Sequence, residues 1–187
     1  DGVVTVPLAL SFGESKKLMK IRRGEDLFKK LGYEQESPQL LLLNEAFKRV
    51  SEVLLYRLNT GEKANVSLSD NVTAQAKYSG VRGNDITVTV KTNVDDPSSF
   101  DVVTFLDTVV MDSQTVKVLA DLKNNDLVEF SGTGELQAVA GAKLTGGTDG
   151  AVSTQDYSEY FKALETVEFN YMALPVEDAS IKKAAIN

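Results

Sequence analysis

The chain has 187 residues, 42% hydrophobic and 25% charged, with a net charge of −7 and neither cysteine nor histidine. The missing residue types remove disulfides, thiolate metal sites, the usual zinc centre and any Ser-His-Asp triad. The apolar share suffices for a packed core, no apolar run nears the roughly 20 residues that span a bilayer, and the acidic balance disfavours nonspecific binding to nucleic acid or anionic lipid.

A length of this kind suits one medium domain or two small ones. Residue 1 is Asp rather than Met, which points to a processed or trimmed piece. Val3 to Ser11 is apolar on both faces, as in a strand covered on both sides. The densest basic cluster, Lys16, Lys17, Lys20, Arg22 and Arg23, reads as a solvated surface loop. Glu25 to Leu31 predicts a short helix that stops at Gly32. A second helix is expected from Ser37 as N-cap and Pro38 at the first position. Leu40, Leu43, Phe47 and Val50 form its apolar stripe, widened by Leu41 and Ala46. Val53 to Leu58 is a short, nearly continuous apolar run, which after a helix reads as a buried parallel strand. Residues 1–58 thus spell strand, helix, helix, strand, a βαβ unit with a right-handed crossover expected.

Asn59-Thr60-Gly61 breaks that pattern, and from about Val66 to Phe130 the periodicity is mainly two. In AKYSGVRGNDITVTV (residues 76–90) a corner with Gly80, Gly83 and Asn84-Asp85 feeds a strictly alternating strand, Ile86 to Thr92. The glycines suit a corner because they tolerate positive φ. Val72 to Tyr78 also alternates. Asn93 to Ser99 reads as a hairpin loop, and Phe100 to Leu106 and Val109 to Met111 as strands. A short helix is expected from about Gln114 to Lys123, carrying Val116, Leu119 and Ala120. Asn124-Asn125-Asp126 turns the chain into a strand at Leu127 to Phe130, and Ser131 to Gly141 reads as loop.

The glycine-dense LTGGTDG (residues 144–150) marks a boundary, after which helical spacing resumes. Ser153 can cap a helix whose face holds Tyr157, Tyr160, Phe161, Leu164 and Val167. Glu168 to Pro175 reads as a buried strand. Glu177 and Asp178 suit a helix N-terminus, with Ile181, Ala184 and Ala185 starting that helix's apolar face. The fold expected is mixed α+β: an α/β domain, residues 1–61 and 148–187, interrupted by an inserted β-sandwich-like domain at 62–147.

Motifs with possible chemistry each have a plainer reading. LTGGTDG could cradle phosphate or hold calcium, but it lacks the Lys-Ser/Thr of a P-loop and offers one carboxylate; a tight turn leaving the β module explains it better. Asp95-Asp96 could be a carboxylate pair, yet it sits in a Pro/Ser-rich loop where acids solvate turns. Asp101, Asp107 and Asp112 flank strands and are expected to face water. Gly132 and Gly134 lack the third glycine of a dinucleotide loop. The aromatic stripe Tyr157, Tyr160, Phe161 has no interleaved basic residues, so core packing is favoured over base stacking. No catalytic, cofactor-binding or metal-ligating residues are assigned, and no cofactor is expected.

Six phrases together carry a resemblance: GVVTVPLALSFGE (2–14), EDLFKKLGY (25–33), VLLYRLNTGEKA (53–64), AKYSGVRGNDITVTV (76–90), LTGGTDG (144–150) and YFKALETVEFNYMALPVED (160–178). In this order the chain resembles tail sheath proteins of contractile-tailed bacteriophages and of phage-like elements in bacterial genomes, as an N-terminal-to-middle fragment. The resemblance implies a non-enzymatic structural subunit, assembled in the host cytoplasm and placed in the virion tail. It would form six-membered rings with other sheath subunits around a tail tube protein and contract on a signal from the baseplate. It also implies an α/β domain interrupted by a β-rich one, with terminal arms that tie neighbours together and a C-terminal domain beyond Asn187. Without those parts this piece is expected to be mainly monomeric, with no nucleic-acid partner and no membrane insertion. The alternative reading is a non-catalytic β module that binds a surface or carbohydrate, although the insert has few aromatics (Tyr78, Phe100, Phe105, Phe130).

Overall fold

The structure is a computed structural model that describes residues 2–175 and 179–186. In chain order its elements are β1 (Val3–Leu8), β2 (Leu18–Arg22), α1 (Leu27–Leu31), a 3-10 turn (Pro38–Leu40) leading into α2 (Leu41–Phe47), and β3 (Glu52–Arg57). Then come β4 (Asn65–Ser69), β5 (Val72–Ala76), a 3-10 turn (Val81–Asp85), β6 (Ile86–Thr92), β7 (Phe100–Leu106) and β8 (Val109–Val116). After a 3-10 turn (Leu119–Asp121) follow β9 (Val128–Gly132), β10 (Val139–Lys143), α3 (Thr154–Leu164), β11 (Tyr171–Met172) and α4 (Ala179–Ala184). The chain divides into two compact units, Asp1–Thr60 with Gly150–Asn187, and Gly61–Asp149. Among the described residues no helix is long and apolar enough to cross a membrane.

The first unit is built on a four-stranded sheet in the order β11-β1-β3-β2. β1 runs parallel to β3 and to β11, and β2 runs antiparallel to β3. Side chains alternate across a strand, so the sheet has two apolar faces. Val4, Val6 and Leu8 of β1 and Val53 and Leu55 of β3 pack with Leu27, Leu31, Leu40, Leu43, Ala46 and Phe47 from the α1–α2 segment. The opposite face offers Tyr56 and Leu58 to Tyr157, Tyr160 and Leu164 of α3 and Ile181 of α4. There the buried Tyr160 hydroxyl bonds Thr5 Oγ1 at 2.8 Å, which satisfies both groups. The expected βαβ core is therefore present, with helices on both faces.

Helix ends follow their chemistry. Asp26 accepts from the Lys29 amide at the start of α1, and Gly32 closes it at φ 77°. Ser153 and Asp156 form a reciprocal capping box on α3.

The second unit has a four-stranded sheet, β10-β6-β7-β8, and a three-stranded sheet, β4-β5-β9. Ile86, Val88 and Val90 point inward from β6, Val102 and Leu106 from β7, and Val72, Ala74 and Ala76 from β5, all buried. β6 pairs with β7 in unbroken antiparallel register from Ile86–Leu106 to Thr92–Phe100. The fold class expected, an α/β part with an inserted β-sandwich-like part, is what the chain adopts.

Several local expectations need correction. The basic cluster is only in part a loop: Lys16 and Lys17 precede β2 and Arg23 follows it, but Leu18–Arg22 is an edge strand that buries Met19 and Ile21 and turns Lys20 and Arg22 outward to Glu52. Gln114 to Lys123 is not a helix, because β8 stays extended to Val116 and only Leu119–Asp121 coils, as one 3-10 turn. The β-branched Thr115, Val116 and Val118 favour that outcome. The stretch Ser131–Gly141 contains the end of β9 and the start of β10. Pro38–Leu40 is 3-10 and Ser37 makes no side-chain cap there. Leu41 is 63% exposed rather than part of the stripe. Glu168–Pro175 holds only the two-residue β11, with Tyr171 at the surface, and Ala184 is exposed too. The helix-start acids Glu177 and Asp178 lie outside the described residues.

Candidate functional site

The two glycine-rich phrases meet. Where the chain enters the second unit, the Glu62 amide donates to Thr148 Oγ1 at 2.9 Å, and the Thr148 amide returns a bond to the Glu62 carbonyl at 3.1 Å. Asn65 and Thr145 exchange two further backbone bonds, at 2.9 and 3.0 Å. Asn84 clamps Gly147 through its side-chain amide, accepting from the Gly147 amide at 2.7 Å and donating to its carbonyl at 3.0 Å. Asp149 Oδ1 accepts from the Val81 amide at 2.8 Å. These atoms are committed to holding turns, so the Asp149 carboxylate that a calcium loop would use already serves the corner at Val81.

Glycine is required here for space. A Cβ on Gly61 would run into the Thr148 carbonyl oxygen, and one on Gly147 into the Gly80 carbonyl oxygen. Gly80 takes φ 129°, but Gly83 is needed because its Cβ would press on the Ala64 and Ala76 methyls at 3.1 Å. The corner between them is one 3-10 turn. Arg82 leaves it to grip Asp107 with two bonds of 2.8 Å and Asp85 with one of 3.0 Å. Burial lowers the Arg82 pKa, but the two carboxylates outweigh it and raise the value above the ordinary one.

The acids expected to face water are at least partly exposed and also hold local structure. Asp107 holds Arg82, Asp101 accepts from Thr115 Oγ1 at 2.6 Å and from Asn93, and Asp112 accepts from Gln114 at 2.9 Å. Asp95 and Asp96 form no acid pair. The Asp95 amide donates to Asn93 Oδ1, while Asp96 accepts from the Ser98 amide and hydroxyl and from the Ser99 hydroxyl. Those serine donors hold the Asp96 carboxyl down at about 2. Gly132 and Gly134 sit where a Cβ would strike the Asn71 and Asp70 carbonyls, so they fit a packed turn. Tyr157 and Tyr160 are buried in the first unit's core. Among the described residues no three of His, Cys, Asp or Glu gather as they would around a metal ion.

Sequence reasoning overlooked one polar knot in the first unit. Arg57 lies inside an apolar run yet is fully buried, its Nη1 donating to the Gly13 carbonyl at 2.7 Å. Its own carbonyl accepts from the Lys16 amide at 2.9 Å. Asn59 bridges both backbone groups of Leu10 at 2.9 and 2.7 Å. A lone charge in a buried strand was the available signal. The knot fixes the β1–β2 loop, where Lys16 adopts φ 61° and directs its ammonium to Asp156 and Glu159 of α3. Burial opposes ionisation of both Lys16 and Asp156, but the mutual bonds prevail, raising the Lys16 value and lowering that of Asp156.

The geometry is that of a braced scaffold, and comparison with known proteins agrees. Residues 2–58 match the family model for the tail sheath protein Gp18 domain III N-terminal region, and residues 59–149 that for the phage tail sheath protein beta-sandwich domain. This chain belongs to the phage tail sheath family. The sheath chain is 41% identical to the phage-like element PBSX protein XkdK of Bacillus subtilis strain 168, across 98% of its own length and 43% of XkdK. Its fold matches a solved sheath tail protein of Desulfitobacterium hafniense with a TM-score of 0.91 at 49% identity, covering 98% of this chain and 44% of that one. A sheath tail protein of Listeria innocua matches with the same TM-score at 40% identity, covering 98% and 42%. The sheath chain therefore spans less than half the length of these relatives.

Proposed function

We propose that the chain is the part of a contractile tail-sheath subunit that supplies two folded units to a polymer. The complete subunit packs with its own kind in six-membered rings around a tail tube and shortens when the baseplate signals. That shortening drives the tube through a cell envelope. The place of action is the virion tail, after assembly in the host cytoplasm. The work comes from two packings of one lattice rather than from catalysis. The organisation proposed is an α/β domain, 1–61 and 148–187, that carries the β-rich domain 62–147 as an insertion.

The observation that carries this reading is the pair of sheath matches, which run without a gap from residue 2 to residue 149. The committed side chains of the clasp and of the acidic loops support it as well. Electron microscopy of the full-length gene product expressed with its tube protein tests it. Striated tubes of regular diameter are expected; a full-length product that stays dispersed around assembled tubes would overturn the reading. The 187-residue chain by itself is expected to sediment as a monomer, and stable hexamers at micromolar concentration would contradict that.

A further inference from the structure

The peptide bond after an aspartate is most reactive where glycine follows, because the glycine nitrogen meets the carboxyl carbon with no side chain in the way. Asp1 and Asp149 are the aspartates that precede glycine in this sequence, and Asp1 lies outside the described residues. Asp149–Gly150 ends the phrase LTGGTDG. Gly150 is exposed and takes φ 66°, a conformation that glycine adopts freely.

The chemistry needs nothing but water. The Gly150 nitrogen attacks Asp149 Cγ, its proton and one carboxyl oxygen leave as water, and a five-membered succinimide forms. Water then reopens the ring. Attack at the former side-chain carbonyl restores aspartate. Attack at the former backbone carbonyl breaks the old link to Gly150 and leaves the chain running through Cβ and Cγ. That product is isoaspartate, with the mass of aspartate but one more carbon in the backbone.

The second unit restrains this step. Ring closure needs the carboxyl free to swing and the backbone free to turn about the Asp149 Cα–C bond, since intramolecular attack depends on orientation. The carboxylate is tied, because Asp149 Oδ1 accepts from the Val81 amide at 2.8 Å. The backbone is boxed in as well. A Cβ on Gly61 would stand 2.7 Å from the Asp149 carbonyl carbon and 1.9 Å from the Thr148 carbonyl oxygen. The reciprocal Glu62–Thr148 bonds hold the preceding residue.

We propose that Asp149 is a latent modification site that forms isoaspartate when the clasp opens, and that the Val81 bond and the close approach of Gly61 keep it silent while the clasp is shut. Isomerisation lengthens the backbone and carries the carboxylate away from the Val81 amide, so the corner does not latch again.

Val81→Pro tests this. Val81 is the first residue of its 3-10 turn and follows Gly80 at an extended ψ of 159°, so proline suits the backbone there and takes away the donor. Its side chain is 45% exposed, so little packing is lost. The chain, the variant and the free peptide LTGGTDGAVST (residues 144–154) are incubated side by side at neutral pH. Electron-transfer fragmentation in a mass spectrometer separates the two isomers and follows isoaspartate at position 149 with time. The folded chain is expected to convert at least about tenfold more slowly than the peptide. Val81→Pro is expected to convert about fivefold faster than the parent, the factor that one hydrogen bond supplies. A folded chain that converts at the rate of the peptide would overturn the proposal, and so would a Val81→Pro rate equal to that of the parent. Should Val81→Pro fail to fold by circular dichroism, Thr148→Val removes the acceptor of the Glu62 amide instead. Faster conversion in that variant supports the proposal and the parent rate refutes it. The isomerised parent should also lose hydrogen-exchange protection at the Val81 amide; protection that survives isomerisation would refute the unlatching.

Discussion

A methyl group at Gly61 would collide with the backbone of Thr148, which cannot swing aside as a side chain could. Gly24 differs: it holds φ 86° with nothing within 4 Å, so alanine there meets only backbone strain. Gly61→Ala is therefore expected to cost up to about 3 kcal/mol and Gly24→Ala about 1 kcal/mol, read from urea midpoints. Equal costs would show that the clasp is not tight. Asp156 offers a pH test. Its folded pKa is depressed, so the stabilisation is complete above the unfolded carboxyl value near 4 and is lost as pH falls through the lower folded value. Asp156→Asn removes a cap partner and an ion pair, so it should cost about 1 kcal/mol at neutral pH. The gap from the parent should close in acid. A constant gap from neutral to strongly acid pH would refute this assignment.

Elements show why some of the fold could be read from sequence and some could not. β6 and β7 were legible because their inward residues alternate strictly with polar ones, the pattern of a half-buried strand. β2 carries the same alternation in Met19 and Ile21, but its outward Lys20 and Arg22 look like loop chemistry when the pairing to β3 is unknown. The 114–123 stretch misleads because Val116, Leu119 and Ala120 satisfy helical spacing as well. What holds it open is Gln114, standing in for a strand by bonding the backbone of Lys123. Gln114→Ala should then cost about 1 kcal/mol and loosen the Lys123 amide in hydrogen exchange. Unchanged exchange at Lys123 would count against that role. The glycine phrases were legible as turns, whereas the partners Asn84–Gly147 and Arg82–Asp107 were not, since no local pattern reports which distant atoms a turn will meet.

At the scale of the whole molecule, the second unit has its own sheets and its own buried set. Residues 61–149 alone are expected to fold as a monomer with a cooperative urea transition. A non-cooperative transition would show that this unit depends on the rest of the chain. The clasp between Glu62 and Thr148 adds a mechanical consequence. Tension that arrives through one connection and leaves through the other meets neighbouring atoms, so it crosses the bonds of the Glu62–Thr148 pair before reaching any sheet. In the contractile subunit proposed above, such wiring would short-circuit the load, and the sheets of the β unit would carry little of it.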